Sequence, residues 1–181
     1  FFLFFFVYFF FHYLSNSFFS MNIFFLHWNP SKCAEYHVDK HVVKMILETC
    51  QLLCCVWHCI DPQHIIFKPL FKKTHVNHPC AKWARESKDN YFWLCQLGIE
   101  LCKEYTYRYH KIHKCESILD DLLSNIPPLK NDLTLPPLCM PNEYKISESF
   151  IQCYRKDYIH GKKKLHSWKK REIPFFISLS A

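Results

Sequence analysis

The residue types best suited to chemistry fall on one helical stripe. At about 100° per residue, His37, His41, Lys44, Glu48 and Gln51 lie within about 80° of one another. Two imidazoles, an ammonium and a carboxylate in one narrow groove shift each other's proton affinities, as general acid–base sites require. The remaining positions are mostly apolar or Cys: Val38, Val42, Val43, Met45, Ile46, Leu47, Leu52, Leu53, Cys54 and Val56. A helix apolar around most of its circumference is largely buried, so its polar stripe faces either a polar cleft or a thin strip of water. His37 and His41 at i, i+4 also have the spacing of a metal-binding pair. Val38, however, stands where metalloproteases carry the glutamate that follows the first histidine. Asp39, in the first turns, is placed to interact with the helix dipole.

The elements that must position these groups can be read from caps and breakers. Residues 22–26 form a short apolar run, a strand or extended lead-in, and residues 27–31 read as a turn. Pro30 and Ser31 can open a helix predicted over residues 32–59, which stops before Asp61-Pro62. A basic loop, 68–78, leads to Pro79, well suited to a first helical turn. Helical pattern then runs to Arg108, with re-initiation at Ser87 or Asp89. Its core stripe is Trp83, Tyr91, Leu94, Leu97, Gly98, Leu101 and Tyr105. Asn90 and Arg108 lie on the edge of that stripe and cost desolvation unless paired. For Asn90 the choice is between a buried structural pairing and substrate; for Arg108 it is between a structural ion pair and a phosphate. The run from Thr74 to His78, ahead of Pro79, brings polar groups to a helix N-terminus, which either bind an anion or simply cap. A short helix over 115–124, an extended connection over 126–141 with five prolines, and a last helix over 147–159 complete the pattern. The fold class is mostly α: a single compact helical domain over residues 21–177, with a short N-terminal extended segment and a basic C-terminal stretch.

Composition narrows the chemistry. The 181 residues include only two glycines, Gly98 and Gly161, which excludes glycine-rich phosphate loops and dinucleotide fingerprints. Net charge is +7, and residues 153–172 hold eight Lys and Arg against Asp157 and Glu172. Tyr154, Tyr158 and Trp168 are interleaved there. Lys162, Lys163, Lys164, Trp168, Lys169, Lys170 and Arg171 are therefore candidate nucleic-acid contacts, cations for phosphates and aromatics for bases. A solvated basic helix end is the plainer alternative. Eleven cysteines, an odd number without a CxxC pair, read as reduced thiols filling a core and point to an intracellular setting. A zinc site of Cys and His ligands is the competing reading.

Phe1 to Ser20 contains ten phenylalanines and no Asp, Glu, Lys or Arg. It lacks the basic flank of a secretory signal, and His12, Ser15, Asn16 and Ser17 interrupt it after about a dozen residues, short of a membrane span. The expectation is a native start at Met21, with the tract outside the fold and no membrane partner.

The run Asp39-Lys-His41-Val-Val-Lys-Met-Ile-Leu-Glu48 places a histidine two residues and a glutamate nine residues after the aspartate. In this it resembles the first helix of the phage pyrimidine-dimer DNA glycosylase/AP lyase family, which is also preceded by a short apolar run. Asn77-His78-Pro79, followed by a helix ending with Glu104 and Arg108, is similar to bacterial relatives of that group. Residues 21–114 also resemble an uncharacterised protein family of phages and large DNA viruses, with a DKHVVKMILE core. The glycosylase resemblance implies a helical fold that binds damaged double-stranded DNA through a basic surface. It implies an amine that attacks C1′ of the damaged nucleotide to form a Schiff base, and a glutamate that moves protons, with no metal, no cofactor and no obligate protein partner. Glu48 matches the glutamate and His41 its neighbour. For the amine, the family exposes a small residue after methionine removal, whereas Asn22 follows Met21 here. The candidates are thus Met21, Asn22 after processing, or Lys44. His37, Gln51, His78, Asn90 and Arg108 fall to substrate binding. The setting implied is the cytoplasm or nucleus of an infected host cell.

Two other functions compete at this level. One is a metal-dependent nucleotide or nucleic-acid hydrolase using His37, His41 and His75 or His78. The other is a non-enzymatic nucleic-acid-binding module built on the basic stretch.

Overall fold

The computed structural model describes residues 21–179, so the Phe-rich tract lies outside the described residues. Among those residues there are seven α-helices and no strand. They are α1 (Pro30–Tyr36), α2 (Asp39–Ile60), α3 (Pro79–Ala84), α4 (Lys88–Tyr109), α5 (Glu116–Ser124), α6 (Phe150–Lys156) and α7 (Phe175–Ser178). A π-helical turn, Asp157–Gly161, continues α6.

The predicted 32–59 helix is two helices. Asn29 caps α1 by accepting the Lys32 N–H, and Pro30 occupies its first turn. His37 and Val38 are both extended and break the helix before Asp39. The reason lies in tertiary structure: the His37 carbonyl accepts from Arg108 Nη1 at 2.8 Å and the Asp39 N–H donates to the Ser167 carbonyl at 2.8 Å. The break is therefore held from two sides by distant segments. The 79–108 pattern divides as well. His78 caps α3 through a ring nitrogen that accepts the Cys80 N–H, and Ser87 caps α4 by accepting the Asn90 N–H.

Helix α2 is the central element, packed against α3, α4 and α5, while α1 packs on α4. It is long and apolar enough to cross a membrane by length and composition, but most of its apolar length is buried against the rest of the protein. The extended segment 22–26 runs through the core, with Ile23, Phe24, Phe25 and Leu26 all buried. Phe25 stacks on Trp93 at 4.4 Å and meets Trp83 edge-on. Trp57 Nε1 donates to the Tyr91 hydroxyl, which donates to the Leu122 carbonyl, so one polar relay ties α2, α4 and α5 together. A single hydrophobic core extends from Met21 to Ile177.

The helix predicted over 147–159 is α6, of different extent, and a further short helix, α7, follows it. Helix α6 begins at Phe150 rather than at 147, and it ends in the π turn. Beyond it, residues 162–173 run back across α1, α2 and α4 as a strap. Trp168 Nε1 donates to the Tyr36 carbonyl, and Asp39 accepts from Ser167 Oγ and from the Lys169 N–H.

Candidate active site

The polar stripe of α2 faces a cleft of about 690 Å³. His41, Lys44, Met45 and Glu48 form its floor, Asn22 and Phe24 one side, His78 and Pro79 another. Residues 138–141, from the proline-rich connection, and Lys145, Lys162 and Leu165 close the rest. Lys44, Lys145 and Lys162 face it against Glu48 as its one lining carboxylate, so the cleft favours an anion.

Glu48 is buried, 5% exposed, and held from both oxygens. The backbone nitrogen of Asn22 donates to Oε2 at 3.3 Å, and Lys44 Nζ stands 2.9 Å from Oε1. Asn22 is fixed in turn: its Nδ2 donates to the Cys139 carbonyl at 2.9 Å and its Oδ1 accepts the Ile23 N–H at 2.8 Å. A carboxylate paired with a lysine amine and hydrogen-bonded by a backbone N–H is held in place and can accept a proton from a group brought into the cleft.

His41 stacks on Phe24 at 4.4 Å, and its Nδ1 shares a 2.5 Å hydrogen bond with the Tyr158 hydroxyl. Burial, with His37, Lys162 and Lys44 nearby, pulls its pKa down to about 3. The ring is therefore neutral at pH 7 and offers a fixed donor and acceptor rather than a charge. Burial likewise pulls His78 below the ordinary histidine value, with His75 adding to it. Lys162 Nζ lies 3.4 Å from Asp157 Oδ2 and 5.8 Å from the Phe24 ring centroid. Asp157 is fully buried, and burial raises its pKa while Lys162 opposes the rise.

Of the residues picked from sequence, His41, Lys44, Glu48, His78 and Lys162 come together here. Others do not. His37, fully buried, donates Nδ1–H to the Cys33 carbonyl at 2.7 Å, and burial lowers its pKa to about 4, so it is a core group rather than a substrate contact. Neither His37 nor His41 belongs to a group of three potential metal ligands among the described residues. Gln51 is half-buried outside the cleft lining. Met21 is buried in the core, and the nitrogen that reaches Glu48 belongs to Asn22.

Asn90 and Arg108 are structural. Asn90 Nδ2 donates to the Trp83 carbonyl and Thr134 Oγ1, and its Oδ1 accepts the Thr134 N–H, which anchors the proline-rich connection to α4. Arg108 is fully buried, with Nε on Glu104, Nη1 on Asp39 and the His37 carbonyl, and Nη2 on the Glu35 carbonyl. A guanidinium so occupied has no fork left for a phosphate. Asp39 spends its carboxylate on Arg108 and the strap, beyond any helix-dipole role.

The basic stretch divides. Arg171 pairs with Glu104 and lies 4.4 Å over the Tyr107 ring, Lys170 Nζ reaches the Tyr107 carbonyl and His110, and Lys169 Nζ lies over Tyr109. Trp168 is committed to Tyr36. Lys163 and Lys164 are exposed close to the cleft edge at Lys162 and Leu165. Tyr154 and Tyr158, read as base-stacking aromatics, are fully buried. Sequence reasoning missed Phe24, Lys145, Tyr158 and the 138–141 wall as parts of the site. The last was a visible proline-rich segment with no polar pattern to mark it.

The family model of pyrimidine dimer DNA glycosylase matches residues 21–117. The chain belongs to that family. The matched span holds Asn22, His41, Lys44, Glu48 and His78, the larger part of the cleft's polar lining. The family acts on DNA, and DNA is the partner class that follows for this glycosylase-family chain. Neither the curated proteins nor the solved structures contain a match to the chain.

Proposed function

We propose that this protein is a damage-specific DNA glycosylase/AP lyase in which Glu48 handles protons for an amine nucleophile in the cleft. The observation that carries this reading is the Asn22 nitrogen 3.3 Å from Glu48 Oε2. When the Met21–Asn22 peptide bond is cut, that nitrogen becomes an α-amine beside a buried carboxylate. An α-amine has a pKa near about 8, so an appreciable fraction is neutral and nucleophilic near pH 7. Its lone pair attacks C1′ of the damaged nucleotide as the glycosidic bond breaks with its electron pair going to the base; the amine then loses a proton, and cleavage of the C1′–O4′ bond with proton delivery to O4′ opens the sugar and leaves the protonated Schiff base. Glu48 takes the amine proton and stabilises positive charge developing on the sugar. Neutral His41, oriented by Tyr158, contributes a hydrogen bond beside it, and Lys44, Lys145 and Lys162 accommodate phosphates. Lys44, 2.9 Å from Glu48 Oε1, is the competing amine.

The test is to incubate the protein with abasic-site and UV-irradiated duplex DNA, add borohydride, and map any covalent adduct. The expected adduct is on the peptide beginning at Asn22 and survives Lys44→Arg. An adduct on Lys44 transfers the nucleophile to that residue. Folded protein that binds DNA but gives neither adduct nor cleavage overturns the lyase reading.

A further inference from the structure

One wall of the cleft contains a cluster that the glycosylase reading leaves unused. His78 caps α3, Cys80 lies in its first turn, and Cys139 comes from the proline-rich connection. Their ligand atoms all lie within 4.8 Å of one another, the one such group of three among the described residues. Cys80 Sγ is 3.5 Å from Cys139 Sγ and 3.8 Å from Asn22 Oδ1. Two thiolates bound at about 2.3 Å to a tetrahedral zinc stand about 3.8 Å apart. A disulfide would hold its sulfurs at about 2.0 Å. At 3.5 Å the two thiols share an S–H···S hydrogen bond, and a small outward shift brings them to the spacing of two ligands on one ion.

We propose that His78, Cys80 and Cys139 bind one zinc-class divalent cation, which clamps the 138–141 wall to α3 and leaves a fourth position toward the cleft. Sulfur and imidazole donors select zinc over magnesium or calcium, which take oxygen. Binding replaces two thiol protons with the ion, so two protons leave and the two thiolates balance its charge. The cap hydrogen bond from the Cys80 N–H to His78 Nδ1, at 3.2 Å, is given up in the exchange. If the metal binds Nδ1 it takes that lone pair; if it binds Nε2 the ring proton must move to Nδ1. Cys139 is only half-buried and lines the cleft, which provides the entry route to the fully buried Cys80. None of its three residues serves as the amine or the carboxylate, although Cys80 and Cys139 both contact the Asn22 side chain.

The test uses the whole chain, purified without a histidine tag, reduced with a phosphine and stripped by chelator. Titration with Co2+ is expected to give one tetrahedral, thiolate-bound ion per chain, seen as intense visible d–d bands and a near-ultraviolet charge-transfer band. One equivalent of Zn2+ should bleach both. Cys139→Ser and His78→Ala should each remove or strongly weaken the bands, while Cys55→Ser, at a separate thiol, should keep them. Circular dichroism checks that each variant folds. Absence of tetrahedral bands in the folded wild type, or bands unchanged by Cys139→Ser, overturns the site. The borohydride adduct is scored on separate samples, so failure of either proposal is seen without the other.

Discussion

Glu48 shows how much one side chain depends on its contacts. Its carboxylate sits between a backbone nitrogen and a lysine amine, and it is 5% exposed. Glu48→Gln keeps the shape and removes the base. The expected result is a loss of base excision of about 10²–10⁴-fold, the usual contribution of general acid–base catalysis, with DNA binding largely kept. Single-turnover excision beside a binding titration checks this, and wild-type turnover would remove Glu48 from the mechanism. The buried histidines give a second prediction. His37 and His41 have pKa values pulled from 6.5 to about 4 and about 3. Below about pH 6.5 the unfolded chain therefore binds protons that the folded chain refuses, and stability falls with acid; above it, both states hold neutral rings and the effect vanishes. The drop in urea midpoint from pH 7 to pH 5 is expected to be smaller in His41→Gln than in wild type. An equal drop in both would mean that His41 titrates alike in the folded and unfolded states.

Between helices, Gly98 marks a close approach. A Cβ added there would lie 2.7 Å from Leu119 Cδ2 and 2.9 Å from Thr49 Cγ2, so α4 meets α5 and α2 at a point with no room for a methyl group. Gly98→Ala gains up to about 1 kcal/mol of helix propensity but overpacks a buried contact at a cost of about 1–3 kcal/mol. The expected result is a lower denaturation midpoint, read by urea unfolding. A raised midpoint would show that Leu119 and Thr49 shift more cheaply than the contact implies. Gly161 plays a related part in the π turn, where a Cβ would collide with Asp157 Oδ1. Both glycines thus answer to close packing, and neither belongs to a phosphate loop.

Across the whole molecule the basic strap divides into packed and exposed cations, and substitutions can separate their roles. Arg171 joins the strap to Glu104 and Tyr107, while Lys163 and Lys164 are exposed near the cleft edge. Lys163→Glu with Lys164→Glu is expected to weaken DNA binding and to flatten the slope of log affinity against log salt, by about one unit for each phosphate no longer neutralised. Its unfolding midpoint should stay near wild type. Arg171→Ala should do the reverse, lowering the midpoint and leaving the salt slope nearly unchanged. If the double glutamate variant kept both affinity and slope, Lys163 and Lys164 would be solubilising charges and DNA would lie elsewhere.

By itself the sequence determined the helical class, the central buried helix and the stripe that presents His41, Lys44 and Glu48 to one side. These follow from a 3.6-residue period and from starts and stops such as Pro30, Pro79 and Ser87, all local properties. It also excluded glycine-rich phosphate chemistry, because backbone cannot approach phosphate in that way without glycines. The tertiary structure alone decided which polar residues are site and which are scaffold. Arg108 and Lys162 look alike as isolated cations, yet one is enclosed by Glu104, Asp39 and two carbonyls and the other lines the cleft. The break at His37 and Val38, the wall at 138–141 and the meeting of His78 and Cys80 with Cys139 all depend on contacts between distant segments. Local periodicity holds no information about such contacts, since they are set by how whole faces pack once the core closes.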